Sequence, residues 1–437
     1  MRLLYTTQSS NNCFDILEFA DNNIPPYAIL SHTWENEEVT LQDMQGGCAE
    51  RKSGFKKVQD CCSVAKASGY DYAWIDTCCI DKTSSAELSE AINSMYRWYY
   101  EADVCYVYLA DIQSGSEFVG SRWFTRGWTL QELIAPPNMI FFDGQWKEIG
   151  TKESLHHALS ECTGIPGNIL LGEDLETASV AQRMSWAAKR QTTRLEDRAY
   201  SLLGIFGINM PLIYGEGKRS FIRLQEEILK VIDDHSIFAW TSVDEEESHG
   251  GLLATSPAAF QKCANLVAHN PFVTFGNEPL IISSKGIHLG FNFVGLSQAG
   301  LGLAILHCTE HGKKESLIAI HLQDTSLTMQ SFQRICCEKT ELLDMTKFRP
   351  ALCPVKRICV QQRRLAAHRS TASIAHTGAP GCFREEEFAE LLSTTLEINK
   401  DVARIPGDLL SSAAQRDDLD LGERHYHMLQ RTEASPS

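Results

Sequence analysis

Short apolar runs alternate with helix-like stretches over the first 150 residues, and this alternation strongly constrains the fold. The apolar runs are "YAIL" (27–30), "YAWI" (72–75), "VCYVYL" (104–109) and "MIFF" (139–142). The segments "FKKVQDCCSVAKASG" and "SSAELSEAINSMYRWYY" place apolar residues at helical spacing, and "FTRGWTLQELI" reads as a short helix ending before two prolines. Strands that alternate with helices predict an α/β fold, in which a parallel sheet carries helices on both faces.

The periodicity changes twice further along the chain. Helical patterns dominate from about residue 154 to 242, and short β-like runs separated by turn residues follow from about 250 to 360. We therefore predict an α/β domain at 1–150, a helical extension at 151–245 and a small β-rich domain at 246–365. We expect residues 366–437 to form a partly disordered tail.

Charge and apolar content narrow the class of protein. Acidic residues outnumber basic ones 56 to 40 in a chain of 437 residues. This net negative charge argues against a nucleic-acid or anionic-membrane binder, because phosphate contacts need lysine and arginine. The sequence contains no stretch of eighteen apolar residues, and its first residues lack the apolar core of a signal peptide. We expect a cytoplasmic protein without a membrane span.

Cysteines and histidines give no metal signature. The fifteen cysteines include adjacent pairs but no C-x-x-C units with metal spacing, so we expect buried free thiols in a reducing compartment. His156 and His157 are neighbours in sequence and point too far apart on a helix to share a metal. The stretch "YGEGKRS" lacks the glycine and hydroxyl positions of a phosphate loop. We predict no metal site and no tightly bound cofactor.

Polar residues follow the predicted strands at the edge where open parallel sheets bind ligands. Ser31, His32 and Trp34 end or follow the first strand, and Asp76 and Asp81 follow the second. Each has a plainer structural interpretation, because an aspartate after a strand is often a turn former or helix cap. Trp34 and Trp128 are more typical of core or groove-wall residues than of side chains that stack on a cofactor, although an amphipathic ring can do both. Considered without the surrounding motifs, Glu132 would be interpreted as an exposed carboxylate on a helix.

The motifs taken together resemble the fungal heterokaryon incompatibility (HET) domain. The segments "YAILSHTWE", "YAWIDTCCIDK", "SEAINSMYRWYYEADVCYVYLAD" and "FTRGWTLQELIAP" have the order and spacing of that domain over residues 25–145. The segments "RLEDRAYSLLGIFGINMPLIYGEG" and "SFIRLQEEILK" resemble the region that commonly follows it. HET domains in turn look like distant relatives of TIR domains, which implies a flavodoxin-like sheet.

The TIR resemblance implies a role for one carboxylate. In enzymatic TIR domains the glutamate of the W-x-x-x-E-L motif cleaves NAD, and in this sequence it falls on Glu132, four residues after Trp128. Thr129 stands where TIR domains often have cysteine. Nicotinamide leaves NAD as a neutral ring, so no general acid is needed, and we expect Glu132 to act ionised at its ordinary pKa of about 4.3. Ser31, His32, Trp34, Asp76, Asp81 and Trp128 are the predicted pocket residues, with NAD as candidate substrate.

The resemblance leaves three functions open. The first is a cell-death effector of the incompatibility or immunity type, whose HET domain cleaves NAD when it self-associates. The second is a non-enzymatic signalling adaptor that self-associates and recruits a protein partner in the same pathway. The third is a hydrolase of another nucleotide or nucleoside, since a fold does not name its substrate. The first two readings differ in NAD consumption.

Overall fold

The computed structural model of the chain divides into two compact units. One comprises Met1–Ala178 and Trp186–Ile228, and the other comprises Ser179–Ser185 and the described residues from Leu229 onward. The residues that the structure describes are 1–8, 13–113, 115–242, 249–272, 280–295, 300–324, 328, 330–346 and 355–362. The predicted tail at 366–437 lies outside these residues.

A seven-stranded sheet forms the centre of the first unit. Its strands are β1 (Arg2–Gln8), β2 (Phe14–Glu18), β3 (Ala28–His32), β4 (Tyr72–Trp74), β5 (Val104–Tyr108), β6 (Met139–Phe142) and β7 (Glu148–Thr151). They lie in the order β2-β1-β4-β3-β5-β6-β7. Strands β4, β3, β5 and β6 are mutually parallel. Numbered along the chain, these four strands run 2-1-3-4, so the strand order reverses between β3 and β5.

The parallel strands are the four apolar runs of the sequence, and these strand predictions are confirmed. All five residues of β3 are buried, as are four of the five in β5. Parallel strands that are covered on both faces need nearly continuous apolar sequences, which is what these segments provide. The predicted α/β class with a parallel sheet is therefore correct at this level.

The sheet is nevertheless mixed, whereas the sequence predicts a parallel sheet. Strand β1 pairs antiparallel with β2 and β4, and β7 pairs antiparallel with β6. These outer strands were missed because their sequences lack a clean apolar run or alternation. In β7 no residue is buried, and in β2 only the first is. Pairing with a preformed neighbour, not local apolar pattern, makes such segments strands.

The α-helices lie between the strands of this sheet and in the region that follows β7. They are α1 (Leu41–Gln45), α2 (Phe55–Ala67), α3 (Asp76–Cys79), α4 (Ser85–Glu101), α5 (Thr129–Ile134), α6 (Lys152–Thr163), α7 (Gly167–Leu170), α8 (Val180–Ala187), α9 (Asp197–Tyr200) and α10 (Arg219–Val231). The Ser84 hydroxyl caps α4 by accepting a hydrogen bond from the Glu87 backbone N–H. Helix α2 packs against β1 and β4, and α4 packs against α5.

The second unit is rich in β-strands. Its strands are β8 (His249–Gly250), β9 (Leu266–Ala268), β10 (Ile281–Ser283), β11 (Gly286–Gly295), β12 (Leu301–Ile305), β13 (Cys308–Glu310), β14 (Ser316–Asp324), β15 (Ser331–Ile335), β16 (Glu341–Asp344) and β17 (Val355–Val360). Strands β14, β12, β11, β17 and β15 pair in that order, and β15 pairs again with β14, which closes a ring. The β-like character predicted for this region is confirmed.

A buried arginine ties this sheet to the turn that precedes it. Arg334 on β15 is fully buried, and its guanidinium donates to the backbone carbonyls of Phe238 at 2.9 Å and Trp240 at 2.6 Å. The same group lies 3.9 Å from the centre of the Trp240 ring. Hydrogen bonds to carbonyl groups and the aromatic face compensate the loss of water around the charge.

The sequence predicts free cysteine thiols and no membrane-spanning segment. Twelve cysteines within the described residues are free, and nine of these are buried. Cys336 departs from the expected free thiols because it is disulfide-bonded. None of the helices in the described part of the chain has the length and apolar character needed to cross a bilayer.

The stability of the second unit is expected to fall in acid because of a stacked histidine pair. The rings of His235 and His307 lie 4.2 Å apart, and burial lowers the pKa of each to about 4. Because an unfolded histidine titrates near 6.5, each histidine's contribution to stability is present above that pH. It is lost as pH falls toward 4, by up to about 1.4 kcal/mol per pH unit. We expect His235→Phe to weaken this pH dependence, measured as the urea midpoint at pH 7 and pH 5.

His311→Phe is the matched control, because His311 is exposed in the same unit. This control is expected to follow the wild type. An equal loss of stability in His235→Phe and the wild type would contradict the assignment.

Candidate functional site

Helix α5 carries the candidate carboxylate and is buried along its whole length. All six residues from Thr129 to Ile134 are buried. The chain enters the helix through Gly127, where a Cβ atom would lie 2.4 Å from the Thr192 side chain, so only glycine allows this close approach. The two prolines after Ala135 prevent its continuation.

Two cationic side chains hold the ends of α5. Lys152 is buried, and its ammonium group donates to the carbonyls of Ile134 at 3.2 Å and Pro136 at 2.9 Å. At the other end, the Arg190 guanidinium donates to the Arg126 carbonyl and the Thr129 hydroxyl, both at 2.9 Å. A helix of six residues is not stable by itself, so these contacts and the surrounding packing position it.

Glu132 is buried inside this arrangement and is only 6% exposed. Its carboxyl accepts a short hydrogen bond from the Ser31 hydroxyl, at the carboxyl end of β3. Ser31 in turn accepts a hydrogen bond of 2.8 Å from the indole N–H of Trp123. Both Ser31 and Trp123 are fully buried. Glu132 therefore lies beside the point where the strand order reverses, and the alternative of an exposed helical carboxylate is wrong.

The protonation state of Glu132 differs from the one predicted. Burial raises the pKa of Glu132 to about 8, although the hydrogen bond from Ser31 favours the charged form; the nearby charge of Asp76 adds to the rise. The carboxyl is therefore mostly neutral at pH 7. The expectation that it is ionised at its ordinary pKa is wrong, because a sequence does not show that water is excluded from a side chain.

Asp76 is hydrogen-bonded to three residues that lie at or after the ends of β3 and β4. Its carboxylate accepts hydrogen bonds from the His32 ring at 3.0 Å, the Trp34 indole at 2.9 Å and the Lys82 ammonium at 3.4 Å. The same ammonium lies 3.6 Å from the centre of the Trp34 ring. Burial disfavours the charge on Asp76, but Lys82 and His32 outweigh it and hold the pKa of this carboxyl below its usual range.

Two neighbouring carboxyl groups are therefore held in opposite charge states. Asp76 is ionised and Glu132 is largely protonated at neutral pH, and the charge of Asp76 acts on Glu132. Their hydrogen-bond partners, Ser31 and His32, are consecutive residues at the end of β3. Environments that separate the pKa values of paired acids are typical of sites that handle protons or charged intermediates.

Two predicted pocket residues are hydrogen-bonded to other groups instead. The Asp81 carboxylate accepts from the Thr83 backbone N–H at 2.9 Å and the Gln42 amide at 2.7 Å, which makes it a turn residue. The Trp128 side chain hydrogen-bonds to the carboxyl of Asp197. The structure thus brings Ser31 to Glu132 and brings His32 and Trp34 to Asp76.

Sequence reasoning missed several residues that shape this region. Lys82 belongs to a quoted motif and Trp123 directly precedes another, but nothing in their spacing indicates a contact with Asp76 or Ser31. Lys152 lies on the helix after β7, and Arg190 lies in the helical extension. Contacts made over such distances along the chain leave no local pattern to read. Among the described residues, no cluster of three or more potential ligands is arranged to hold a metal ion.

Comparison with known families identifies the first unit's sheet region. Residues 27–120 match the family model for heterokaryon incompatibility protein (HET), which includes β3, α2, β4, α4 and β5. The chain carries a HET domain. This match ends before α5, so Glu132 lies outside the matched residues. Residues 219–279 match a domain of unknown function (DUF8212).

The chain is also similar to a curated relative. It is 45% identical over 260 residues to the vegetative incompatibility protein HET-E-1 of Podospora anserina. The alignment covers 55% of this chain and 19% of the relative, so the chain spans about a fifth of that protein's length. No solved structure matches the chain.

Burial of the Glu132 carboxyl predicts a pH-dependent stability. An unfolded glutamate titrates near 4.5, and the folded pKa is about 8. The stability contributed by the neutral carboxyl is full below pH 4.5 and is lost as pH rises to 8, by up to about 1.4 kcal/mol per pH unit. We expect the wild type to lose stability relative to Glu132→Gln across this window, in urea unfolding measured at pH 5, 6, 7 and 8.

Glu50→Gln serves as the control, because Glu50 is exposed and its replacement should track the wild type. Parallel pH curves for the wild type and Glu132→Gln would show that Glu132 does not hold a proton in the folded state.

Proposed function

We propose that this HET domain acts in an incompatibility-type response that leads to cell death or growth arrest. The support is the family match and the similarity to a relative named as a vegetative incompatibility protein. The alignment covers a small part of that relative, so the role rests on the shared domain. Self-association of the domain and a protein partner belong to this proposal.

We further propose that the domain cleaves NAD to nicotinamide and ADP-ribose, with Glu132 as the catalytic residue. The observation that carries this proposal is the buried Glu132–Ser31 pair at the reversal of strand order, where open α/β sheets bind their ligands. Burying a carboxyl group disfavours folding, so a site that retains one invites a functional explanation. The TIR-like sequence order around Trp128 and Glu132 also supports it.

The raised pKa of Glu132 fits a role in which the carboxyl ionises when the positively charged substrate binds. NAD carries a positive charge on its nicotinamide ring, and bond cleavage moves that charge onto the ribose as an oxocarbenium-like centre. A positive charge beside a buried carboxyl favours its ionised form. Glu132 would then release its proton to solvent as the substrate enters and stabilise the positive ribose after nicotinamide leaves. A water molecule adds to the anomeric carbon and loses a proton to solvent, which gives ADP-ribose. Ser31, held by Trp123, orients the carboxylate.

The direct test is NAD consumption by the purified full chain. We expect Glu132→Gln to reduce NAD loss by about a hundredfold or more, because it removes the negative charge and keeps the shape. We also expect the wild-type rate per molecule to rise with protein concentration, as mass action favours assembled subunits. Glu50→Gln is the matched control and should keep full activity.

The pH dependence distinguishes between two chemical roles for the same glutamate. If ionised Glu132 stabilises the ribose cation, kcat/KM for NAD should rise about tenfold per pH unit below pH 8 and level off above it. We expect this outcome, measured between pH 6 and 9. A rate that falls above pH 8 would instead make Glu132 a general acid. That result would favour hydrolysis of a nucleoside whose base leaves only when protonated.

The second candidate function is a non-enzymatic signalling adaptor. The observation that favours it is the small exposure of Glu132, whose carboxyl is already hydrogen-bonded to Ser31. In this interpretation the hydrogen bond between Glu132 and Ser31 has only a structural role and links α5 to β3. Wild-type protein that assembles but leaves NAD intact at every concentration would select the adaptor and exclude the enzyme.

A further inference from the structure

A cavity of about 560 Å³ opens at the carboxyl ends of the parallel strands, apart from Glu132. The loop after β3, one side of α2, the end of β5 and the turn between β6 and β7 line it. Tyr108 of β5 belongs to this lining, and its register partner on β3 is His32. Ser31, the residue before His32, binds Glu132 instead. Successive residues of a strand point to opposite faces, so the cavity and Glu132 lie on opposite faces of the sheet.

The charged side chains of this cavity are paired with one another or with a neighbour. The pairs are Glu38 with Lys57, Lys56 with Asp60, and Glu35 with Arg122. A paired charge attracts a further ion weakly, because its field is largely cancelled nearby. The cavity therefore suits a neutral polar ligand better than a phosphate or a free cation.

Two buried polar atoms in the lining have unmet hydrogen-bonding capacity. Within the described part of the chain, neither Oε2 of Glu38 nor Nε1 of Trp146 has a hydrogen-bond partner. The other oxygen of Glu38 accepts from the Lys57 ammonium at 2.5 Å and the Glu35 backbone N–H at 2.7 Å. Leaving a buried donor or acceptor unpaired costs about 1–3 kcal/mol. A ligand that donates to Glu38 and accepts from Trp146 would remove both costs.

Trp146 is also held in an unusual backbone conformation. Its φ angle is 59°, in the left-handed region that bulky residues avoid. Asp143 fixes the turn by accepting from the backbone N–H groups of Gln145 at 2.9 Å and Lys147 at 3.0 Å. The Trp146 ring stacks on Tyr108 with centroids 4.8 Å apart. Strained residues of this kind are concentrated at binding sites, and this one supplies an aromatic wall.

We propose that this cavity binds a neutral small molecule that carries a ring and a hydroxyl group. The hydroxyl donates to the free oxygen of Glu38, a ring nitrogen or oxygen accepts from the Trp146 indole, and the ring packs against the aromatic wall. The ribose of a nucleoside and the ring of a saccharide share this chemistry. The site is separate from Glu132 and does not depend on NAD cleavage.

Calorimetric titration of the full chain tests the site with three probes: adenosine, its dideoxy analogue that lacks both ribose hydroxyls, and maltose. We expect saturable binding of adenosine or maltose. Binding of adenosine with a loss of at least about tenfold for the dideoxy analogue identifies a nucleoside, and binding of maltose alone identifies a saccharide. Equal affinity for adenosine and its analogue, or no binding of any probe at millimolar concentration, would overturn the proposal.

Variants locate the binding to the cavity. Glu38→Gln should weaken binding about tenfold or more, and Trp146→Phe, which keeps a ring and removes only the N–H, should weaken it about threefold or more. The second variant decides the matter if the first does not fold. Glu132→Gln lies on the opposite face and should leave affinity unchanged. Affinity lost in Glu132→Gln and retained in both cavity variants would place the ligand elsewhere and refute the assignment.

Discussion

Burial of the Glu132 carboxyl against Ser31 is the constraint around which the first unit is organised. A carboxyl group can be buried only if hydrogen bonds replace water or if it stays neutral, and here both conditions apply. Helix α5 is too short to position the glutamate by itself. Lys152 and Arg190 donate hydrogen bonds to its two ends and hold it in place. Ser31 is itself oriented by Trp123, which leaves the carboxyl little freedom.

The residues at the end of β3 take part in two separate clusters. The Ser31 side chain is directed to Glu132, while the next residue, His32, bonds to Asp76. Successive residues of a strand point to opposite sides, so one strand end serves a protonated acid and an ionised one at once. Lys82 stabilises the charge of Asp76, and that charge in turn disfavours ionisation of Glu132. A change at either cluster should therefore be felt electrostatically at the other.

The same alternation gives the opposite face of the sheet its own chemistry. Tyr108 and Trp146 form an aromatic wall there, and Glu38 is linked to α2 through Lys57. Helix α2 packs on β1 and β4, at one side of the sheet, whereas the cavity is bounded by β5 and by the β6–β7 turn. The chain returns antiparallel at β7 instead of adding another parallel strand. The cavity occupies the space between α2 and these two elements.

The sequence by itself determined the four parallel strands, the helices α2 and α4, and the polar residues at the strand ends. These features follow from local apolar periodicity, which strands such as β3 and β5 display because both their faces are buried. It also indicated the HET family through long motifs. Tertiary structure decided the outer strands β1, β2 and β7, the partners of Asp81 and Trp128, and the proton on Glu132. Pairing and water exclusion bring together residues as far apart as Ser31 and Glu132, and no local pattern records such contacts.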